Sequence, residues 1–293
     1  MTTTQASTRL EAVTIKTTRK PFPWGVVLTI LILAVGALLM ILPFMWIIQS
    51  AFGETVEAFS LPPRFIPLNP TLDNFATVFK QVPYGLFMFN SLKIATIVTI
   101  GQLITCSMAA FAFARLHFPG RNFLFIGLLS ALMIPGQMLI VPLFILMRNL
   151  RLNDTHAALI LPGLINPFGV FLLRQYFITI PSELEDAARV DGANVFTIYW
   201  RIILPLSGPV LTTLAILTFV AVWNSYFYPL VMIKNRDLQV ITVGLTLLQG
   251  QYGANALGPV AAALTMAIVP VLIVFLALQK YIIKSIVSTG LKT

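Results

Sequence analysis

The chain has 293 residues, of which 58% are hydrophobic and 10% charged, with a mean hydropathy of +0.90 and a formal charge of +9. Soluble domains average nearer about 45–50% apolar and about 25% charged, so this composition excludes a soluble enzyme, a disordered chain and a secreted disulfide scaffold. The surplus apolar residues must face lipid, and the one cysteine, Cys106, cannot form an internal disulfide.

A bilayer core takes about 20 apolar helical residues. Six runs qualify: Val26–Ile48, Ile94–Ala114, Phe123–Met147, the shorter Ala157–Leu173, the overlong Ile202–Ile233, and Pro259–Gln279. The first is too long for the apolar part of a signal peptide and no small-residue cleavage site follows it. The expected fold class is therefore an all-α integral membrane protein with six transmembrane helices. Residues 1–24 form an N-terminal segment, 25–283 the membrane domain and 284–293 a tail. Lysines and arginines favour cytoplasmic loops. With the N-terminus inside, twelve of the nineteen fall on the cytoplasmic side and six outside, with Lys93 at a helix mouth. Both termini are thus expected in the cytoplasm, and the charge surplus follows, because the ten acids divide evenly.

Between the first two runs lies Ser50–Phe89, containing LPPRFIPLNPTLDNF. Its prolines oppose regular helix. Thr71 or Asp73 is placed to cap a short amphipathic helix running through Phe79. That helix suits the outer interface, and an ordinary solvated loop suits the same residues.

Four of the ten acids gather in one polar stretch, Pro181–Pro209: Glu183, Glu185, Asp186 and Asp191. Ser182 followed by Glu185 reads as a capping box, and acids in the first turn suit the helix dipole. Gly192 ends or sharply turns that helix. Asn194 is placed to cap a second, with Phe196, Tyr199 and Ile203 spaced along one face. The segment is too polar for lipid and too patterned for a loose loop. It reads either as a solvated connection or as a docking lever for a soluble partner.

The same residues resemble the EAA loop of permeases of binding-protein-dependent ABC importers. The family pattern is E-A-A-x-x-D-G-A, an apolar stretch, then I-x-x-P-x-x-x-P. This chain has Asp186-Ala187-Ala188-Arg189-Val190-Asp191-Gly192-Ala193, then Ile202, Pro205 and Pro209, with Asp186 in place of the usual glutamate. Further stretches resemble the carbohydrate-uptake, maltose-type branch: Thr71–Phe75, Ala112–Leu116 with Phe118-Pro119-Gly120, and Trp223-Asn224, with a looser likeness at Thr289–Lys292. The resemblance implies the type I ABC importer permease fold in a bacterial or archaeal cytoplasmic membrane. It implies three partners: a second permease subunit, an ABC ATPase dimer and an extracytoplasmic substrate-binding protein. The ATPase-coupling residues it implies are Asp186, Ala187, Ala188, Asp191, Gly192 and Ala193, with Glu183 beside them. The chain has no G-x-x-x-x-G-K-[ST] phosphate loop. It is expected to bind no cofactor or metal itself, ATP being used by the partner ATPase, and to bind no nucleic acid.

Polar residues inside apolar runs mark substrate paths or helix contacts. Phe219–Leu230 offers Trp223, Asn224, Ser225, Tyr226 and Tyr228, whose aromatic faces and hydrogen-bonding groups suit sugars. Trp223, Asn224 and Tyr226 are the path candidates, followed by Gln102, Thr105, Ser107 and Gln137. Aromatic belts and interhelical contacts use the same residue types. Pro135, Pro142, Pro162, Pro167 and Pro270 are expected to kink their spans. His117 and His156 are expected in loops on opposite sides, Lys93 to snorkel, and Cys106 to pack as a small core residue. A self-sufficient secondary transporter or channel is the competing class, and it would call for coupling charges within the spans. An intramembrane enzyme would call for a catalytic cluster.

Overall fold

The computed structural model describes residues 24–54, 65–252 and 257–290. Apart from Trp24, the N-terminal segment 1–24 lies outside the described residues. The described residues are helical and contain no strand. Helix α1 spans Trp24–Phe52, with Pro43 inside it. The chain divides into two units, residues 1–45 and 46–293, the boundary falling within α1. In the first unit, Trp24–Met45 forms a charge-free helix whose large apolar side chains are mostly exposed, as lipid-facing surface requires.

The second unit is built around α3, Tyr84–Arg115, a helix of 32 residues, or about 48 Å at the α-helical rise. Its first half joins a core of Val78, Phe87, Ala95, Phe219, Trp223, Leu248 and Ala261–Ala263. Its second half joins Cys106, Phe111, Val170, Leu173, Phe177, Tyr199, Ile203 and Leu214. Small residues permit the close approaches. A Cβ on Gly169 would lie 3.0 Å from Cys106 Sγ and 3.2 Å from a Leu214 methyl. Such contacts drive helix association in membranes, where lipid removes the hydrophobic gain between helices.

Four spans are long and apolar enough on their own: Trp24–Phe52, Tyr84–Arg115, Ala157–Ile178 and Leu257–Lys280. Two bent helix pairs are also long and apolar enough, giving up to six where each pair is one span. The expected span Phe123–Met147, with its kinks at Pro135 and Pro142, is α4, Arg121–Ser130, and α5, Ile140–Asn149, joined by 3-10 turns at Ala131–Met133 and Gly136–Leu139. The two arms meet at 94°. Pro135 is the cause, because it drives the preceding Ile134 to extended backbone, φ −90° and ψ 115°. Pro142 makes no such break within α5. The fourth run is interrupted between α6, Ala157–Gly163, and α7, Pro167–Ile178. Pro167 starts α7, where its missing N–H costs nothing, with Asn166 as N-cap.

After α7 come α8, Glu183–Val190, α9, Val195–Ile198, a π-helical turn at Tyr199–Ile203 and α10, Leu204–Leu206. A bend of 77° then leads into α11, Gly208–Trp223. Within the overlong run Ile202–Ile233, α11 is the longest unbroken helix. The run breaks again before α12, Phe227–Met232. Helix α13, Ile241–Tyr252, and α14, Leu257–Gly290, complete the chain. Helix α14 carries Pro270 and continues to Gly290, and residues 291–293 lie outside the described residues.

The short amphipathic helix exists as α2, Asp73–Gln81, and the Thr71 hydroxyl accepts from Asp73 N at 3.1 Å. It is neither free loop nor a bare interfacial helix, since it packs on α14. Buried Asn74 donates to the carbonyls of Ala51 (3.1 Å) and Gly53 (2.9 Å), tying α2 to the end of α1. At the same end of α3, Asn90 donates to the Asp237 and Gln239 carbonyls at 2.8 and 3.0 Å. Asp154, at φ 57°, accepts from Lys234 N and Asn235 N, both at 2.8 Å. His156 Nε2 lies 2.9 Å from the Leu238 carbonyl. Burial lowers the pKa of His156, and this bond offsets part of the effect. Lys93 Nζ stands over the Phe89 ring at 5.7 Å.

Candidate functional site

The polar stretch folds as a helix, a tight turn and a second helix. Helix α8 opens with Glu183, Glu185 and Asp186 in its first turn. The expected capping box does not form. Ser182 is already helical, at φ −68° and ψ −25°, and makes no side-chain cap bond. Glu185 turns inward to Arg115 at the end of α3, its Oε1 lying 2.8 Å from Arg115 Nε. The side chains are 12% and 6% exposed, Arg115 first. The two atoms pair as charges and are not aligned as a hydrogen bond. Arg115 Nη2 also donates to the carbonyls of Phe177 (2.7 Å) and Ile180 (2.5 Å), which close α7. One guanidinium therefore holds the ends of α3 and α7 and the start of α8, a geometry suited to its planar fork of donors.

Gly192 ends α8 at φ +82°. Ala193 N donates to Ala188 O at 2.9 Å and Gly192 N to Arg189 O at 3.0 Å. This is a Schellman cap, which places a left-handed residue where glycine carries no Cβ penalty. Asn194 caps α9, its Oδ1 accepting from Thr197 N at 2.8 Å. Tyr199 is buried against Phe111, and its hydroxyl lies 2.7 Å from Ser107 Oγ on α3. Phe196 leaves the expected common face. It is 66% exposed and stacks on exposed Trp200 with planes 12° apart. The buried stripe instead runs through Ile198, Tyr199 and Ile203, shifted where the helix widens to π geometry.

The seven coupling candidates divide into two groups. Glu183, Asp186, Ala187, Asp191 and Gly192 are exposed. Ala188 and Ala193 pack inward on the core that holds Ile180 and Ile198. The exposed group is a compact acidic surface with small side chains at its centre. The inner group holds it against the bundle. Arg115, absent from the candidates, is the residue that fastens it.

The path candidates also separate. Trp223 is 3% exposed and stacks on Phe219 at 5.8 Å, so its ring is enclosed in the core and offers no aromatic face to a path. Asn224 is exposed at the end of α11. Tyr226 and Gln137 come together with Tyr228 around a cavity of about 360 Å³ at the elbow between α4 and α5. Gln102, Thr105 and Ser107 are occupied with backbone groups. Gln102 Nε2 donates to Gly163 O at 2.6 Å, and Thr105 Oγ1 donates to Leu164 O at 2.5 Å. Both carbonyls lie at the break between α6 and α7, where no helix can satisfy them. Thr218 and Asn166 donate to Gln102 Oε1 at 2.8 and 3.3 Å. A polar network thus seals the broken span, and its Gln102, Asn166 and Thr218 also line a cavity of about 310 Å³.

These features define a multispanning helical protein with an exposed acidic helix–turn–helix fastened to its bundle. A family profile described as the binding-protein-dependent transport system inner membrane component matches residues 21–288, and the chain belongs to that family. It is 37% identical over 259 residues to the arabinooligosaccharides transport system permease protein AraQ of Halalkalibacterium halodurans, covering 87% of this chain and 92% of that protein. It is 30% identical to the sn-glycerol-3-phosphate transport system permease protein UgpE of Yersinia enterocolitica, covering 88% and 94%. In fold it is similar to a chain from the crystal structure of a bacterial ABC transporter that imports the acidic polysaccharide alginate. The TM-score is 0.76 at 24% identity, covering 88% of this chain and 96% of that one. The protein is thus an inner-membrane permease component of an importer, and not a self-sufficient secondary transporter.

Proposed function

We propose that this permease moves a carbohydrate or related polyol into the cell, driven by a separate ATPase that docks on α8 and the turn after it. The observation that carries the reading is the exposed surface of Glu183, Asp186, Ala187, Asp191 and Gly192, braced from behind by the buried Glu185 and the partly buried Ala188 and Ala193. A surface of acids around a small-residue centre suits a basic cleft. Asp186 accepts charge-assisted hydrogen bonds from an arginine or lysine there, and Ala187 lets the partner approach closely. In this reading α8 and both termini lie on the cytoplasmic side, which the lysine and arginine bias supports. ATP belongs to the ATPase, a second permease completes the path, and a binding protein delivers substrate outside. Each partner favours one of two states of the permease pair, and that difference in affinity drives the alternation. The named substrates of the similar proteins, arabinooligosaccharides, sn-glycerol-3-phosphate and alginate, support a hydroxyl-rich solute.

The test is to purify the tagged chain from its own membranes and reconstitute what accompanies it. An ATPase and a second permease are expected to co-purify, and uptake to require ATP and the binding protein. Uptake by the chain alone would overturn the reading. Within the path, Asn224→Leu is expected to lower uptake several-fold with normal membrane levels, because Asn224 is exposed at the end of α11, where its loss disturbs little packing. Unchanged uptake and unchanged preference among sugars would remove Asn224 from the path.

A further inference from the structure

Helix α8 is attached to the bundle more specifically than docking alone requires. Beyond apolar packing, the segment carrying it touches α3 at two polar points. One is the Arg115–Glu185 pair, 2.8 Å apart and largely buried. The other is the Ser107–Tyr199 contact at 2.7 Å. Ser107 and Arg115 are eight residues apart, about 12 Å along the helix. Two separated points prevent α8 and α9 from pivoting about either one. The same guanidinium clasps the Phe177 and Ile180 carbonyls, so α7 is held in the joint.

We propose that Arg115 and Glu185 are positioning residues that transmit displacement of α8 into α3 and α7, and hence link ATP hydrolysis to opening of the path. The inference rests on the ATPase-docking reading above. Neither residue faces the ATPase. Glu185 points away from the exposed acidic surface, and Arg115 sits at the end of a membrane span. The pair therefore acts after docking. With the joint loosened, α8 moves with the ATPase while the spans lag. An uncharged contact of similar volume fills the space and leaves α8 free to slide, because apolar packing lacks the direction of a charge pair held in a fork.

The test compares three preparations of the whole complex: wild type, Glu185→Gln, and the double variant Arg115→Met with Glu185→Met. Replacing a buried ion pair by apolar residues of similar size is often neutral for stability. Arg115→Met, however, also unpairs the Phe177 and Ile180 carbonyls, so membrane level and thermal midpoint are measured for both variants. Glu185→Gln, which keeps the guanidinium, separates folding from coupling. Three further quantities are measured: ATPase retained on purification, the rate of ATP hydrolysis, and substrate imported per ATP. Both variants are expected to retain the ATPase and hydrolyse ATP within about twofold of wild type, while import per ATP falls about tenfold, within the usual span of coupling between sites. Normal import per ATP in the double variant would overturn the proposal, as the pair would then be filler. Loss of the ATPase from both variants would also overturn it, because the pair would then serve assembly. If the wild-type chain itself carries no ATPase, the docking reading fails instead, and the two failures are distinguishable.

Discussion

Replacing Gly192 by aspartate is expected to leave the protein in the membrane and to abolish uptake. The backbone there stands at φ +82°, and no atom lies within 4 Å of where a Cβ would sit. A side chain therefore disturbs no packing inside the chain. It does strain the turn, by roughly 1–2 kcal/mol for a residue forced into left-handed geometry. It also sets a new carboxylate on the surface beside Asp186 and Asp191. The damage falls on the face presented to the ATPase, where a charge and a few atoms of bulk decide the fit. Three measurements check this: the level of the variant in membranes, the ATPase retained on purification, and uptake. Gly192→Asn is the matched control, since asparagine tolerates the left-handed region and adds no charge; it is expected to keep most uptake. Full uptake by Gly192→Asp would remove the turn from the coupling surface.

The largest effect on stability is expected from Asn166→Leu. Asn166 Oδ1 caps α7, accepting from Phe168 N at 3.0 Å and Gly169 N at 3.4 Å, and its Nδ2 donates to Gln102. Leucine removes the cap and strands the amide N–H groups at the start of α7. Losing a cap costs about 1 kcal/mol, and leaving a buried polar group unpaired costs about 1–3 kcal/mol more. The expected result is a clear drop in thermal midpoint in detergent and lower accumulation in membranes. Asn166→Ser, which keeps a capping oxygen, is expected to fall between leucine and wild type. An unchanged midpoint for the leucine variant would show that the network does not hold the broken span.

Much of this architecture was legible in composition and pattern, because lipid imposes a simple rule on apolar runs. The run Val26–Ile48 became most of α1, and Gly192 and Asn194 sit where a helix stop and a helix start were expected. What escaped was whatever depended on residues distant in sequence. Glu185 looked like half of a capping box because the local pattern fits one. Its partner lies 70 positions away, and the stronger attraction of a buried guanidinium wins over a local backbone N–H. Trp223 looked like a sugar-binding face because aromatic residues have the same chemistry on a path or in a core. Only packing on Phe219 distinguishes the two. Gln102 and Thr105 looked like isolated polar residues in lipid. Their purpose appears once α6 and α7 are seen to part, leaving the Gly163 and Leu164 carbonyls without helical partners. The elbow at Pro135 was foreseeable as a kink, but its 94° angle was not.

The loop that follows α12 is held largely through its backbone, with Arg236 adding a bond to the Gln81 carbonyl at 3.1 Å. Asp154 grips the amides of Lys234 and Asn235, and Asn90 grips the carbonyls of Asp237 and Gln239. The Lys234, Asn235, Arg236 and Asp237 side chains are exposed. Shape and chemistry are therefore set independently at Lys234, whose amide alone is held. Any residue other than proline at 234 can donate the same amide, so the charge displayed there can be rewritten while the loop keeps its course. Related permeases can in this way diverge in the charge they show at this position on one unchanged frame.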